Sequence, residues 1–285
     1  MATEAIGRIT VLGAGTMGHG IAHAAMSAGF ETALFDTSND SLVRAKAAID
    51  SVIAKSVELK KTSEAEAKFL RGRLRTFDHL AQAVAHADVV IEAVPEQIDL
   101  KLRVLREVEK HAPARAVIAS NTSALSLTEM AAVLTHPARL GGMHFFNPVH
   151  KMKLVEIVRA LETSAETLQV MEDVARRMGK ETVQVRESPG FVTSRINAMI
   201  GNEAFYMLQE GVASARDIDK ALKLGLNHPM GPFELVDLVG LDTRLSVLEF
   251  LHKSLGEKFR PCPLLVQHVR AGRLGRKVGK GVYDY

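Results

Sequence analysis

His144 lies near the end of an apolar run, Gly142-Met143-His144-Phe145-Phe146, that breaks at Asn147-Pro148. Glu156 follows twelve residues later in a second extended run, Lys153-Leu154-Val155-Glu156-Ile157-Val158. As a side-chain type, imidazole exchanges protons near neutral pH. A carboxylate beside it selects one tautomer and stabilises the imidazolium. Taking a hydride from a carbinol carbon demands such a base, because the hydroxyl proton must be accepted. Neighbouring strands lie about 4.8 Å apart, so a strand returning after Asn147-Pro148 would bring Glu156 within reach of His144. A lone histidine at this place is more often a core residue. The company it keeps favours the base.

That company begins with Gly13-Ala14-Gly15-Thr16-Met17-Gly18, directly after the apolar run Arg8-Ile9-Thr10-Val11-Leu12 and at the start of an Ala-rich helix. Gly13 permits a tight turn, Gly15 lets the backbone approach a pyrophosphate, and Gly18 lets helix and strand pack closely. Asp36 ends the second extended run, Glu31 to Asp36, where an acceptor bonds a ribose hydroxyl and repels a phosphate. Thr37 and Ser38 follow it with no arginine, which points to NAD rather than NADP. Ligands of open α/β sheets lie beyond the carboxyl ends of strands. Glu96 and Lys101, after Val94-Pro95, are therefore candidates for the nicotinamide half. A helix-end glutamate and a solvated lysine account for them equally well. Ser120-Asn121-Thr122-Ser123 ends another run in short polar side chains, and Ser123 can either hydrogen-bond an alcohol oxygen or cap a helix.

The elements that must position these residues alternate. Extended runs at Leu74–Phe77, Asp88–Val94, Ala116–Ser120 and Leu140–Phe145 join the first two, with a helix to about Ala28 and a long one from Asp40 to Lys61. Such alternation predicts a parallel sheet covered on both faces. Beyond Glu187-Ser188-Pro189-Gly190 the pattern turns helical, over Phe191–Gly211, Ala215–Leu224, Phe233–Leu255 and Leu264–Ala271. The boundary is placed near Ser188, giving domains 1–188 and 189–285. The second carries many apolar residues for its length, among them Ile196, Met199, Phe205, Val239 and Leu248. It is expected to pair with a second copy as a homodimer, or else to pack on its own first domain.

With 285 residues and 47% hydrophobic composition, the chain can bury a large core. A net charge of +3 without arginine blocks speaks against nucleic acid. One cysteine, Cys262, excludes an internal disulfide framework and favours a reducing compartment. The start Met1-Ala2-Thr3-Glu4 lacks a basic-then-apolar export segment, and no apolar run reaches the roughly 20 residues that span a bilayer. A cytoplasmic protein without a membrane partner is expected, and no metal site.

Taken together, the chain resembles the 3-hydroxyacyl-CoA dehydrogenase family in its short-chain branch, along essentially its whole length. The resemblance rests on the glycine loop, Ser120-Asn121-Thr122-Ser123, His144-Phe145-Phe146-Asn147-Pro148 with Glu156, and Ser188-Pro189-Gly190-Phe191. It extends to Pro229-Met230-Gly231-Pro232-Phe233-Glu234-Leu235 and to Gly275-Arg276-Lys277-Val278-Gly279-Lys280-Gly281-Val282-Tyr283. It implies an α/β fold, an N-terminal Rossmann-type doubly wound sheet with a smaller all-α C-terminal domain that dimerises. His144 would be the base, Glu156 its partner, Ser123 the donor to the substrate oxygen and Asn121 a support. NAD would meet Asp36, Glu96, Lys101, Ser123, Asn147 and Lys277 besides the loop. An acyl-CoA substrate would use the long second helix, with Ser51, Lys55, Lys60 and Lys61 as candidates. One position departs: the family often has asparagine before arginine after Pro-Gly-Phe, where this chain has Thr193-Ser194-Arg195. Ser194 inherits that place, with Asn197 one helical turn on. Dehydrogenation of a free 3-hydroxy acid or sugar acid, and a non-catalytic nucleotide-binding protein, are the alternatives on the same scaffold.

Overall fold

The computed structural model describes residues 6–285, and the Met1-Ala2-Thr3-Glu4 start lies outside them. Two compact units divide the chain, one ending at Glu187 and the other running Ser188–Tyr285. The first holds strands β1 (Arg8–Leu12), β2 (Glu31–Phe35), β3 (Leu74–Phe77), β4 (Val89–Glu92), β5 (Val117–Ser120), β6 (Leu140–Phe145), β7 (Leu154–Arg159) and β8 (Glu181–Arg186). Its helices are α1 (Thr16–Ser27), α2 (Asn39–Glu58), α3 (Glu64–Arg71), α4 (Leu80–Val84), α5 (Ile98–His111), α6 (Leu127–Ala131) and α7 (Ala165–Arg177).

The strands form one eight-stranded sheet in the order β3-β2-β1-β4-β5-β6-β7-β8. With β1 central and β2 and β4 on either side of it, the chain order reverses at β1, so the carboxyl end of β1 opens at a switch point. Residues of β4, β5 and β6 are buried throughout, as strands covered on both faces must be. The parallel sheet expected from the alternating strands and helices runs through β6, and the strand expected to return after Asn147-Pro148 follows it as β7. β7 runs antiparallel to β6, since the chain returns through a loop with no crossover helix. β8, parallel to β7 at the edge, was not expected: most of its residues are exposed and only Val185 is buried, so it reads as a surface segment.

Helix boundaries differ from expectation at two points. The long second helix stops at Glu58, and Ser63 and Glu66 form a capping box that starts α3 separately. In the second unit the helices are α8 (Thr193–Gln209), α9 (Ala215–Gly225), α10 (Pro232–Val239), α11 (Leu241–Leu255) and α12 (Pro263–Arg270). The single helix expected over 233–255 is broken at Gly240, whose φ of 108° is outside helical space. Phe205, Phe233, Leu241, Leu248, Leu251 and Phe259 fill the core of this unit. Asp237 anchors the chain end, accepting from Val282 N at 2.8 Å and Tyr283 N at 2.9 Å. Among the described residues, no helix is long and apolar enough to cross a membrane.

Candidate active site at the carboxyl ends of the strands

The turn after β1 follows from its glycines. Gly13 has φ +96°, open to glycine at little cost. A Cβ on Gly18 would fall 1.7 Å from Gly13 O, so helix and strand can approach only without one. A Cβ on Gly15 would meet nothing within 4 Å. Gly15 also precedes α1 and makes no side-chain cap hydrogen bond to it, so the first-turn N–H groups lack that usual partner. Asp36 braces this loop: its Oδ2 accepts from Ala14 N at 2.8 Å and its Oδ1 from Ser38 N at 2.9 Å. Each carboxylate oxygen keeps a second lone pair for a ribose hydroxyl. Open space at Gly15, uncapped N–H groups and a fixed acceptor at β2 suit a dinucleotide.

His144 and Glu156 stand directly opposite each other in the antiparallel β6–β7 pair. His144 Nδ1 lies 2.6 Å from Glu156 Oε2, with the carboxylate fully buried and the imidazole 7% exposed. A carboxylate only accepts, so Nδ1 carries the proton between them. Phe146 packs against the imidazole with ring centroids 4.6 Å apart. Asn121, just past β5, accepts from Phe145 N at 2.9 Å through its side-chain oxygen. Its side chain therefore fixes the backbone next to His144.

Ser123 and Glu96 come together: Glu96 Oε1 accepts from Ser123 N at 3.0 Å, from Thr122 Oγ1 at 2.6 Å and, at 3.4 Å, from Ser123 Oγ. Ser123 does not cap α6; that task falls to Ser126, which accepts from Glu129 N. Nor is Lys101 a solvated lysine. It is 1% exposed, and its ammonium donates to Glu92 Oε1 at 2.7 Å and Val94 O at 3.2 Å and pairs with Glu96 at 3.3 Å. Glu92 went unnoticed in the sequence, although an acid at the end of the apolar run Val89-Val90-Ile91 is a signal that a buried charge needs a partner.

A cluster of bases joins the glycine-loop helix to the segment after His144. Asn147–Pro148 is a cis peptide, and Val149 then packs on α1 where Gly20 leaves room: a Cβ there would lie 2.8 Å from Val149 Cγ2. Lys180 donates to Val149 O at 2.5 Å and Met152 O at 2.8 Å. His23 of α1 meets His150 edge to face, 6.5 Å between centroids. Burial, then the neighbouring His150, His19 and Lys180, push the His23 pKa down to about 4.

The remaining candidates are on or just after α2 and in the second unit. Ser51 and Lys55 are on the solvent side of α2, where Lys55 pairs with Glu58 at 2.8 Å, and Lys60 is an exposed residue with φ 56°. Lys277 belongs to the second unit and donates to Asp242 at 2.6 Å, while Ser194 lies in the first turn of α8.

Comparison with known proteins agrees over the whole length. The model of the 3-hydroxyacyl-CoA dehydrogenase NAD binding domain matches residues 8–188, and that of the family's C-terminal domain residues 190–285. A probable 3-hydroxybutyryl-CoA dehydrogenase of Bacillus subtilis is 45% identical over 98% of both chains. A 3-hydroxybutyryl-CoA dehydrogenase of Bradyrhizobium diazoefficiens is 43% identical over 98% of this chain and 96% of its own. The crystal structure of (S)-3-hydroxybutyryl-CoA dehydrogenase from Ralstonia eutropha superposes with a TM-score of 0.96 at 41% identity, covering 99% of each chain.

Proposed function

The chain belongs to the 3-hydroxyacyl-CoA dehydrogenase family, an NAD-dependent oxidoreductase family with a Rossmann NAD-binding domain, and we propose that it interconverts a short-chain L-3-hydroxyacyl-CoA, 3-hydroxybutyryl-CoA, and its 3-oxoacyl-CoA with His144 as the base. The observation that carries the role of His144 is the 2.6 Å hydrogen bond from its Nδ1 to the buried Glu156. The named relatives carry the substrate.

NAD supplies the hydride acceptor when bound. The first turn of α1 and Gly15 would hold its phosphates and Asp36 its adenosine ribose, with Glu96 and Asn147 available to the nicotinamide half. With Nδ1–H committed to Glu156, the lone pair of Nε2 receives the proton of the 3-hydroxyl. Glu156 then stabilises the imidazolium without taking the proton itself. Ser123 Oγ donates to the same substrate oxygen, a change of partner made easy by its long 3.4 Å bond to Glu96. Asn121 keeps the backbone beside His144 in place. Second copies pair through the second unit, where Ile196, Leu224, Leu226 and Val239 are exposed apolar residues.

Replacing His144 with Gln tests this. Turnover of acetoacetyl-CoA with NADH should fall by about 10²–10⁴-fold, the scale of general acid–base catalysis, with NADH affinity nearly unchanged. Turnover close to wild type in that variant would sink the assignment. Activity on free acetoacetate equal to that on acetoacetyl-CoA would move the substrate to a free acid. Sedimentation of the protein as a monomer would remove the homodimer.

A further inference from the structure

Arg8 and Glu31 open β1 and β2, and Gly72 and Arg73 lead into β3. With α3 and α4 these amino ends line a cavity of about 840 Å³, within the size range of small-molecule sites. The glycine loop and His144 lie toward the carboxyl ends of their strands, at the other end of the sheet. Local sequence leaves the hollow open. α4 has five residues and spans about 7.5 Å, too little to roof three strands about 4.8 Å apart. Ala33, Ala65 and Ala87 line the space without the bulk to fill it.

The charge of this cavity is one-sided. Among the described residues that line it, Glu31 is the one carboxylate, and Arg8 neutralises it at 3.2 Å. Lys68, Arg73 and Arg75 form no ion pair among the described residues. Arg73 is held in place: its Nη1 donates to Gly29 O at 2.5 Å, and its guanidinium lies over the Phe69 ring, 4.5 Å from the centroid. Its Nε is closed to water and has no hydrogen-bond partner. A cation hydrated on fewer sides attracts an anion more strongly than a fully solvated one. Phe69 itself is 61% exposed, an aromatic ring left at the wall of a basic cavity.

We propose that this cavity is a second ligand site, for a small phosphate-bearing molecule with a planar ring, the chemistry of a free adenine nucleotide. Arg75 offers a guanidinium fork to phosphate oxygens and Lys68 a point charge. The base stacks on the Arg73–Phe69 pair. A nucleic-acid strand would need a longer basic track than these three cations provide.

Equilibrium dialysis with ADP tests this. Lys68→Gln/Arg75→Gln alters two exposed side chains, so melting and NADH affinity should stay at wild-type values. The double variant should bind one ADP fewer per chain than wild type, or bind it at least about tenfold more weakly. Phe69→Ala should weaken the same ADP by about tenfold, the scale of base–aromatic stacking. ADP isotherms identical in wild type and the double variant overturn the proposal. A parallel loss of NADH affinity would place the ADP in the glycine loop and refute it as well. An unchanged isotherm in Phe69→Ala, or inorganic phosphate displacing ADP mole for mole, would show an anion site without a ring and overturn the nucleotide assignment.

Discussion

Acid should loosen the seam between α1 and the segment after His144, and His23 should account for a defined part of the loss. The groups acting on its ring are all bases: His150 across the contact, His19 one turn back on α1, and the buried Lys180. Together with burial they move the His23 pKa from 6.5 to about 4. The folded protein therefore binds fewer protons than the unfolded chain between these values. Stability is complete above pH 6.5, declines as pH falls through the window from 6.5 to about 4, and is flat with respect to this group below it. At about 1.4 kcal/mol per pKa unit, lowering pH from 7 to 5 removes about 2 kcal/mol through this one histidine. The ring is part-exposed, so that figure is a ceiling. For a unit of this size it corresponds to a fall of roughly 4–8 °C in Tm. His23→Gln keeps a neutral polar side chain and abolishes the titration. Thermal melts of both proteins at pH 7 and pH 5 isolate the effect, because all other carboxylates and histidines titrate in both. The variant should lose less Tm than wild type by that margin. Equal losses in the two proteins would refute the argument.

The glycine loop yields a second contrast. Gly15→Ala meets no protein atom and should leave Tm unchanged, while weakening NADH by about tenfold or more if the phosphates take that space as proposed. Gly18→Ala drives a Cβ into Gly13 O and should cost both folding and binding, visible in melting and NADH titration alike. In the second unit, Tyr283→Phe removes a 2.7 Å donor from Asp219, a carboxyl that burial already raises in pKa. It should lower stability by about 1.5–3 kcal/mol in urea denaturation.

Much of the sheet was legible because its strands end where residue types change. β1 stops at the glycines and β3 matches the extended run Leu74–Phe77. β6 closes before Asn147-Pro148. Where the structure departs, the cause is local chemistry that hydrophobic pattern underweights. The split between α2 and α3 follows from a Ser63–Glu66 capping box that was present in the sequence as Ser-x-x-Glu. The break in 233–255 comes from one glycine taking a positive φ inside an otherwise helical pattern. β8 is an edge strand, whose exposed charges carry no sign of pairing.

The site divides along a similar line. His144 and Glu156 belong to one antiparallel return, so a count of residues along two neighbouring strands suffices to bring them opposite each other. The hydrogen bonds of Glu92 and Glu96 need contacts made across 28 residues from Glu92 to Ser120, and across 26 from Glu96 to Thr122. No periodicity within a single element encodes such contacts. Lys101 shows the consequence. On α5 it looks like any lysine beside Arg103 and Arg106, and only the fold of residues 92–96 back over it makes it the buried cation between two carboxylates. What does survive in the sequence is a cost without a visible partner: an acid inside a buried strand must be compensated somewhere. Glu92 on β4 was that sign, and a search for its cation among the next ten residues finds Lys101 and no other.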